Sequence, residues 1–146
     1  MKFQQLINTM LQFHEIPLGN ELQIVGRVKA MGRAGWPEGV NAGKGQRVSY
    51  TLEQLADIYI VLELASLGIT QQRAIEIAEL NRSAIFEAIQ TGGEVTIKVP
   101  RVFGEARSRW HFRLRVPNLL SVWEGFNPPV NALPPRQPAE PQPASL

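Results

Sequence analysis

Gln23 and Arg27 have the side-chain chemistry and the spacing needed to contact base edges in duplex DNA. They are four residues apart, so on a helix they lie one turn apart on the same face. In the major groove an amide can bond adenine twice, and a guanidinium can bond guanine twice. Nearby basic side chains suit phosphate oxygens. The candidate DNA contacts are Asn20, Gln23, Arg27, Lys29, Arg33, Lys44 and Arg47.

Charge is unevenly distributed along the chain, although the formal net charge is only +2. Basic residues outnumber acidic ones by three in residues 1–50 and again in residues 94–126. Acidic residues outnumber basic ones by four in residues 51–93. A basic zone attracts a polyanion such as DNA. For the C-terminal zone, an ordinary solvated surface explains the charge equally well.

The sequence gives little support for catalysis, a metal site or a bound cofactor. It has no cysteine, and its histidines, His14 and His111, belong to no motif. We interpret both as surface or helix-capping residues. The stretch from Gly39 to Lys44 has one residue too few for a phosphate-binding nucleotide loop, and Gly45 stands where that loop needs Ser or Thr. We therefore predict a protein that is not an enzyme and has no cofactor.

The candidate contacts need a helix to present them, and the N-terminal pattern predicts two. Apolar residues recur with helical spacing from Phe3 to Leu11, and Ile16-Pro17 interrupts that pattern. A second helix is predicted from Leu18 to Gly32, with Gly26 as a weak point inside it. Its inward side chains are Ile24, Val25, Val28 and Met31. Two short helices joined by a short turn favour a helix-turn-helix, whose second helix enters the major groove.

Residues 32–50 form the candidate wing beside these helices. Five glycines and a proline in this stretch are typical of turns. Val48 and Tyr50 alternate with Arg47 and Ser49, as in a short strand. A hairpin that closes near residues 42–45 would hold Lys44 at its tip, within reach of a phosphate.

Residues 51–92 predict three further helices. Thr51 and Gln54 have the spacing of a capping box, Gly68 suits a left-handed C-cap, and Thr70 suits an N-cap. Glu76 and Glu79 are predicted to lie on a solvated outer face. Another helix starts at Asn81 or Ser83 and ends at Gly92-Gly93. The first of these helices has an apolar stripe, which we interpret as core or dimer interface. The stripe comprises Leu55, Ile58, Tyr59, Leu62 and Ala65.

The pattern changes beyond Gly93. Residues 95–99 and 110–116 alternate apolar and polar side chains, which predicts a β-hairpin with one apolar and one cationic face. The cationic face suits either a nucleic acid or solvent. Residues 118–126 form an apolar segment that can pack on this sheet. The last stretch, 127–146, is so rich in proline that we predict a disordered tail.

The stretch from Gly43 to Ala78 resembles the wing and following helices of MerR-type winged-helix regulators, and the resemblance extends over residues 1–80. It implies that the second helix and the wing contact DNA and that the protein forms a dimer. Two features depart from the family. Arg33-Ala34-Gly35-Trp36 stands where Arg-Tyr-Tyr is usual, and Gly92-Gly93 and two strands replace the long coiled-coil helix.

The sequence thus predicts a mostly helical α+β protein with a winged helix-turn-helix domain in residues 1–92. A β-hairpin with a short helix follows in residues 93–126, and the tail occupies residues 127–146. The predicted function is transcriptional regulation through double-stranded DNA, and the alternative is a non-enzymatic protein-interaction or assembly subunit.

We also expect a cytoplasmic protein with no membrane segment, because no apolar run approaches the roughly 20 residues of a membrane-spanning helix. A homodimer is expected because paired half-sites raise both affinity and specificity. Its interface would use residues of 118–126 or of the apolar hairpin face, namely Leu119, Leu120, Val122, Trp123, Trp110, Phe112 and Leu114.

Overall fold

The computed structural model describes residues 1–14, 21–40, 49–100 and 109–127. This part of the chain is 64% helical and includes one two-stranded antiparallel sheet, so the α+β prediction is confirmed. Its elements are α1 (Phe3–Phe13), α2 (Glu21–Arg33), α3 (Leu52–Ser66), α4 (Gln71–Leu80), α5 (Arg82–Thr91), β1 (Gly93–Pro100), β2 (Arg109–Val116) and α6 (Leu119–Phe126).

Helix α3 is the centre of the core. It packs against α2, α4, α5 and α6. The sequence predicts one buried stripe along this helix, but burial extends around most of its circumference and includes Ala56, Asp57, Ile60, Val61 and Leu64 as well. The reason is that neighbouring helices cover several sides of α3. A helix that is covered on one side only would bury a single stripe.

The local signals for helix ends are confirmed. The amide of Gln54 donates to Thr51 Oγ1 at 3.2 Å, and the amide of Thr51 donates to Gln54 Oε1 at 2.9 Å, which completes the capping box. Gly68 adopts a left-handed φ of 89°, and the amide of Ile69 donates to the carbonyl oxygen of Leu64 at 3.2 Å. This is the Schellman arrangement that ends a helix at glycine.

Asn81 joins the hairpin to the helices. Its buried side chain donates to the carbonyl oxygens of Ile77 and Lys98 at 2.8 and 2.9 Å, and accepts from the Lys98 amide at 2.8 Å. The sequence identifies Asn81 only as a possible helix start. It does precede α5, but its side chain is engaged in fixing β1 against the α4–α5 junction instead of capping the helix.

The two strands pair in the predicted antiparallel manner, with Ile97 opposite Phe112. Helix α6 differs from the prediction, because it packs mainly against α3 and α5 instead of on the sheet. Its approach requires Gly92, since a Cβ at this residue would lie 3.2 Å from the backbone nitrogen of Asn118. Gly92 also has a left-handed φ of 77°, which glycine adopts without strain.

The start of the chain lies beside the end of the candidate wing. Lys2 and Ser49 form an isolated antiparallel bridge, and the Tyr50 amide donates to the Met1 carbonyl oxygen at 2.7 Å. The Trp123 indole N–H donates to the carbonyl oxygen of Tyr50 at 3.0 Å. Helix α6 therefore closes over this pairing.

Several predictions fall outside the described residues. These are the contacts at Asn20, Lys44 and Arg47, most of the wing hairpin, the loop between the strands, and nearly all of the proline-rich tail. Within the described ranges, none of the helices is long and apolar enough to cross a membrane.

Candidate nucleic-acid interface

Helix α2 turns most of its apolar side chains toward the core, but Leu22 is 83% exposed. Ile24, Val28 and Met31 are buried in the core, and the predicted weak point at Gly26 leaves the helix unbroken. Val25, also predicted to point inward, is half-buried. Four of the predicted contacts lie on the exposed side and form two pairs with a spacing of four residues. They are Gln23 with Arg27 and Lys29 with Arg33.

The exposed face of α2, defined by Gln23, Arg27, Lys29 and Arg33, is strongly basic. The only acidic residue in the helix is Glu21, in the first turn. None of the three cations forms a salt bridge with another described residue. Side chains without a partner remain available for an external anion, and a polar amide among them can also bond base edges.

Gly35 fixes the C-terminal end of this helix. It has a φ of 79°, its amide donates to the carbonyl oxygen of Gly32 at 3.0 Å, and the Trp36 amide donates to that of Met31 at 3.0 Å. This Schellman motif turns the chain back so that Trp36 enters the core. The sequence shows Gly35 only as one of several loop glycines, so the motif was not predicted.

Trp36 also connects the end of α2 to α4. Its indole N–H donates to Glu79 Oε1 at 3.1 Å. Glu79 and Glu76 are both exposed, as predicted, but Glu79 also accepts this hydrogen bond and Glu76 forms an ion pair with Arg73. The bond gives a physical role to the tryptophan that departs from the MerR-type pattern.

The outer face of the β-hairpin is the second basic surface. On both strands every second side chain points outward. The positively charged outward residues are Lys98, Arg113 and Arg115, and His111 lies beside them. Arg115 faces Glu94 across the strands, with Arg115 Nη2 3.9 Å from Glu94 Oε1. Both side chains are largely exposed, so this pair adds little stability.

His14 has one of its two predicted roles, that of a helix cap, and is not a surface residue. It follows α1 as the capping residue, but only 4% of its side chain is exposed. Its Nδ1 lies 2.7 Å from Glu63 Oε1, and its ring stacks on Tyr59 with centroids 4.8 Å apart. Burial, and then the Glu63 carboxylate, raise the pKa of Tyr59 above its ordinary value. His111, in contrast, is exposed as predicted.

A cavity of about 210 Å³ lies next to His14 and opens beside the exposed face of α2. The residues that line it are His14, Gln23, Ile24, Arg27, Leu62, Glu63 and Ser66. Two of these, Gln23 and Arg27, were predicted as DNA contacts from their spacing on α2. The other polar members are His14, which follows α1, and Glu63 and Ser66 of α3, and the sequence offers no signal that these distant residues meet.

Asp57 and Arg82 form an ion pair between α3 and α5. Arg82 Nη2 lies 2.9 Å from Asp57 Oδ2, and Asp57 is buried. Burial raises the pKa of Asp57 to about 6, although the Arg82 guanidinium acts in the opposite direction. The pair joins α3 to α5 and lies away from the α2 face.

The described residues contain no group of three or more histidine, aspartate or glutamate side chains arranged to hold a metal ion. Comparison with known proteins identified no relative: no protein-family model matches the chain, and no curated protein or solved structure is similar to it. Functional inference therefore depends on the geometry of the described residues.

Proposed function

We propose that this protein binds double-stranded DNA through the exposed face of α2 and acts as a transcriptional regulator with a MerR-like winged helix-turn-helix. The observation that carries the proposal is that Gln23, Arg27, Lys29 and Arg33 are all exposed on α2, as two pairs one turn apart that flank its buried side chains. A single α-helix is the element that fits the major groove of B-DNA.

The division of roles follows from side-chain chemistry. Gln23 and Arg27 lie one turn apart and suit contacts to base edges, which give sequence preference. Lys29 and Arg33 are the second such pair, and suit phosphates, which fix the position of the helix on the duplex. Arg33 also lies in the last turn, where a cation interacts favourably with the helix dipole.

The packing of α2 suits this role. Its buried side fixes the helix on α1 and α3, and Trp36 anchors its end to α4 through Glu79. A helix held at several points keeps its exposed side chains in a defined arrangement, which base recognition requires. The candidate wing residues Lys44 and Arg47 are assigned phosphate contacts by the family resemblance alone.

The alternative, an assembly subunit without DNA-binding activity, predicts that these side chains are solvated charge. It is distinguished by selecting sequences from random duplex DNA with the purified protein at two salt concentrations. We expect a recurrent sequence motif, and affinity that falls as salt rises because bound cations release counterions from DNA. Recovery of random sequence at both salt concentrations would leave the assembly subunit as the better interpretation.

The assignment of base contacts has its own test. On the selected sequence, Gln23→Ala and Arg27→Ala should each weaken binding by about 1–3 kcal/mol and relax preference at particular positions. Gln72→Ala and Arg113→Ala are matched controls, since both residues are exposed and lie away from α2. Equal losses on all sequences would show that Gln23 and Arg27 contact only phosphate.

A homodimer remains part of the proposal, with a narrower choice of interface. Leu119 is completely buried, and Trp123 donates to Tyr50, so both side chains belong to the core of one chain. Trp110 is 71% exposed, next to the half-buried Phe112 on the same strand face. Aromatic side chains of this kind commonly anchor interfaces. Sedimentation should show a dimer that Trp110→Ala shifts toward monomer.

A further inference from the structure

The groove between α2 and α3 has the features of a small-molecule site. The cavity beside His14 shares Arg27 and Leu62 with a second cavity of about 390 Å³, which continues toward the turn between α3 and α4. The walls of the cavity beside His14 are apolar at Ile24 and Leu62, and both of these residues are buried. An apolar groove with a few convergent polar groups is the usual form of a ligand site.

The unusual atom beside this groove is Nε2 of His14, one of the residues that line it. It is buried and has no hydrogen-bond partner among the described residues, whereas Nδ1 is engaged with Glu63. A carboxylate beside Nδ1 favours a proton on that nitrogen, so Nε2 accepts a hydrogen bond in the neutral ring and donates one in the charged ring. Buried polar atoms without partners are rare in folded proteins.

Arg27 supplies the second polar group of the groove. It contributes to the walls of both cavities, and no described carboxylate pairs with it. The Glu63 carboxylate also lines the first cavity, but its Oε1 is engaged with His14. A guanidinium is well suited to a carboxylate ligand, because its N–H groups match the two oxygens.

We propose that this groove binds a small aromatic carboxylic acid, with its carboxyl group between His14 Nε2 and Arg27 and its ring over Ile24 and Leu62. A ligand carboxylate would accept a hydrogen bond from Nε2 of the charged ring and from the Arg27 guanidinium. A cavity of about 150 Å³ in another protein holds benzene, so a volume of about 210 Å³ accommodates one aromatic ring.

The site provides a way to control the proposed DNA binding, and this regulatory step rests on that function. Arg27 belongs both to the groove and to the exposed face of α2. When its guanidinium pairs with the ligand it is drawn away from guanine, so ligand and DNA compete for one side chain. Linkage then requires that DNA weaken ligand binding by the same factor as ligand weakens DNA binding.

The competing explanation is a buried water that bonds His14 Nε2, with no organic ligand. The two are distinguished on the protein without DNA, by titrating ¹⁵N-labelled protein with benzoate and following backbone amide shifts. Benzamide is the matched probe, because it keeps the ring and lacks the charge. We expect saturable shifts confined to the groove residues of α2 and α3, and at least about tenfold weaker binding of benzamide.

Variants locate the site. His14→Phe keeps a ring on Tyr59 and removes Nε2, and should weaken benzoate binding by about tenfold or more, while His111→Phe should leave it unchanged. Ser66→Trp places a large side chain at an exposed position on the cavity wall and should block the groove. If His14→Phe does not fold, Ser66→Trp still tests whether benzoate binds in the groove.

The regulatory step is tested separately by measuring DNA affinity at saturating benzoate. A loss of affinity that Ser66→Trp abolishes supports the competition for Arg27. If benzoate binds without any change in DNA affinity, the proposed regulation is wrong and the proposed binding site is retained. If the protein binds benzoate and no DNA sequence, the proposed function fails and the site again stands. Scattered, non-saturating shifts, or equal binding of benzamide, overturn the carboxylate site itself.

Discussion

The exposed face of α2 and the outer face of the β-hairpin carry similar charge on different scaffolds. On α2 the cations accompany an amide, no acidic side chain lies among them, and the backbone is a helix of groove size. On the hairpin the cations stand on two strands, and Arg115 faces Glu94. Charge alone predicts two equivalent DNA surfaces, whereas charge combined with shape and base-reading groups favours α2.

The two faces are also held differently. Helix α2 packs on α1 and α3 through its apolar side chains, whereas the hairpin combines apolar packing of β1 on α4 and α5 with the hydrogen bonds of the buried Asn81 side chain. Apolar packing depends weakly on any single polar group, but a connection through one buried amide depends on it strongly. The comparison therefore makes separate predictions about DNA affinity and about stability.

The largest expected effect separates the faces by DNA affinity. Replacing Arg27, Lys29 and Arg33 by alanine removes three cations from α2 and should lower affinity by about a thousandfold near 0.1 M salt. The phosphate contacts of Lys29 and Arg33 contribute about 0.9 logarithmic units each there, and the base contact of Arg27 contributes about 1–3 kcal/mol. The salt slope should also fall by about two. We would measure both by fluorescence anisotropy across a salt series.

The matched variant replaces Lys98, Arg113 and Arg115 on the hairpin, which removes the same number of cations from another exposed surface. It should change affinity and slope far less. If the two triple variants lose affinity equally, the protein binds DNA by charge on both faces, and the preference for α2 is wrong.

The next effect concerns the attachment of the hairpin. Asn81→Ala removes three hydrogen bonds and leaves the backbone amide and carbonyl of Lys98 without their partner. A buried group that loses its partner costs about 1–3 kcal/mol, so we expect a loss of about 3 kcal/mol in the free energy of unfolding. Denaturant unfolding measures it, and amide exchange should increase in β1 more than in α2.

The control for this variant is Asn8→Ala, since Asn8 is exposed on α1. It should leave stability nearly unchanged. An Asn81→Ala protein as stable as wild type would show that packing against α4 and α5 alone holds the hairpin.

The residues used in these experiments differ in how readily sequence identifies them. The Thr51 capping box depends on residues three apart, so its pattern is visible in the chain. Asn81 resembles an ordinary helix start, because its partner at Lys98 comes from a later strand. His14 is harder still: its burial depends on contact with Glu63 and Tyr59, and only the fold brings the end of α1 close to these residues of α3.

A similar limit applies to the candidate site. The spacing of Gln23 and Arg27 and the burial of Ile24 and Val28 follow from helical periodicity, so the polar and apolar sides of α2 were predictable. The groove behind Arg27 was not, because a cavity depends on the distance between helices. Periodicity identifies which side of a helix is inward but not how closely its neighbour approaches.

The third effect is a pH dependence on the hairpin side of the core. Burial raises the pKa of Asp57 to about 6 from an ordinary value of 3.8. The native state thus holds a proton more tightly than the unfolded state, and this contribution to stability is lost as pH rises from about 4 through 6. Asp57→Asn lacks the titration, so its stability relative to wild type should increase over that window, on the order of 2 kcal/mol.

Chemical denaturation at pH 4, 5, 6 and 7 would measure this difference, with Glu87→Gln as a control at an exposed position of α5. The sign is the decisive feature. A relative stability that decreases with pH would show that the ion pair with Arg82 outweighs burial and lowers the pKa of Asp57.

The smallest effect tests the anchor of α2. Trp36→Phe keeps an aromatic ring in the core and removes the indole N–H that donates to Glu79. Because Glu79 is exposed and regains water, the loss should be about 1 kcal/mol in the free energy of unfolding. Glu79→Gln retains an acceptor oxygen and should cost less.

In a double-mutant cycle with Glu79→Ala, the coupling between the two positions should equal most of the Trp36→Phe effect. Additive losses would mean that Trp36 acts through ring packing alone, and α2 would then be held by its apolar side without help from α4.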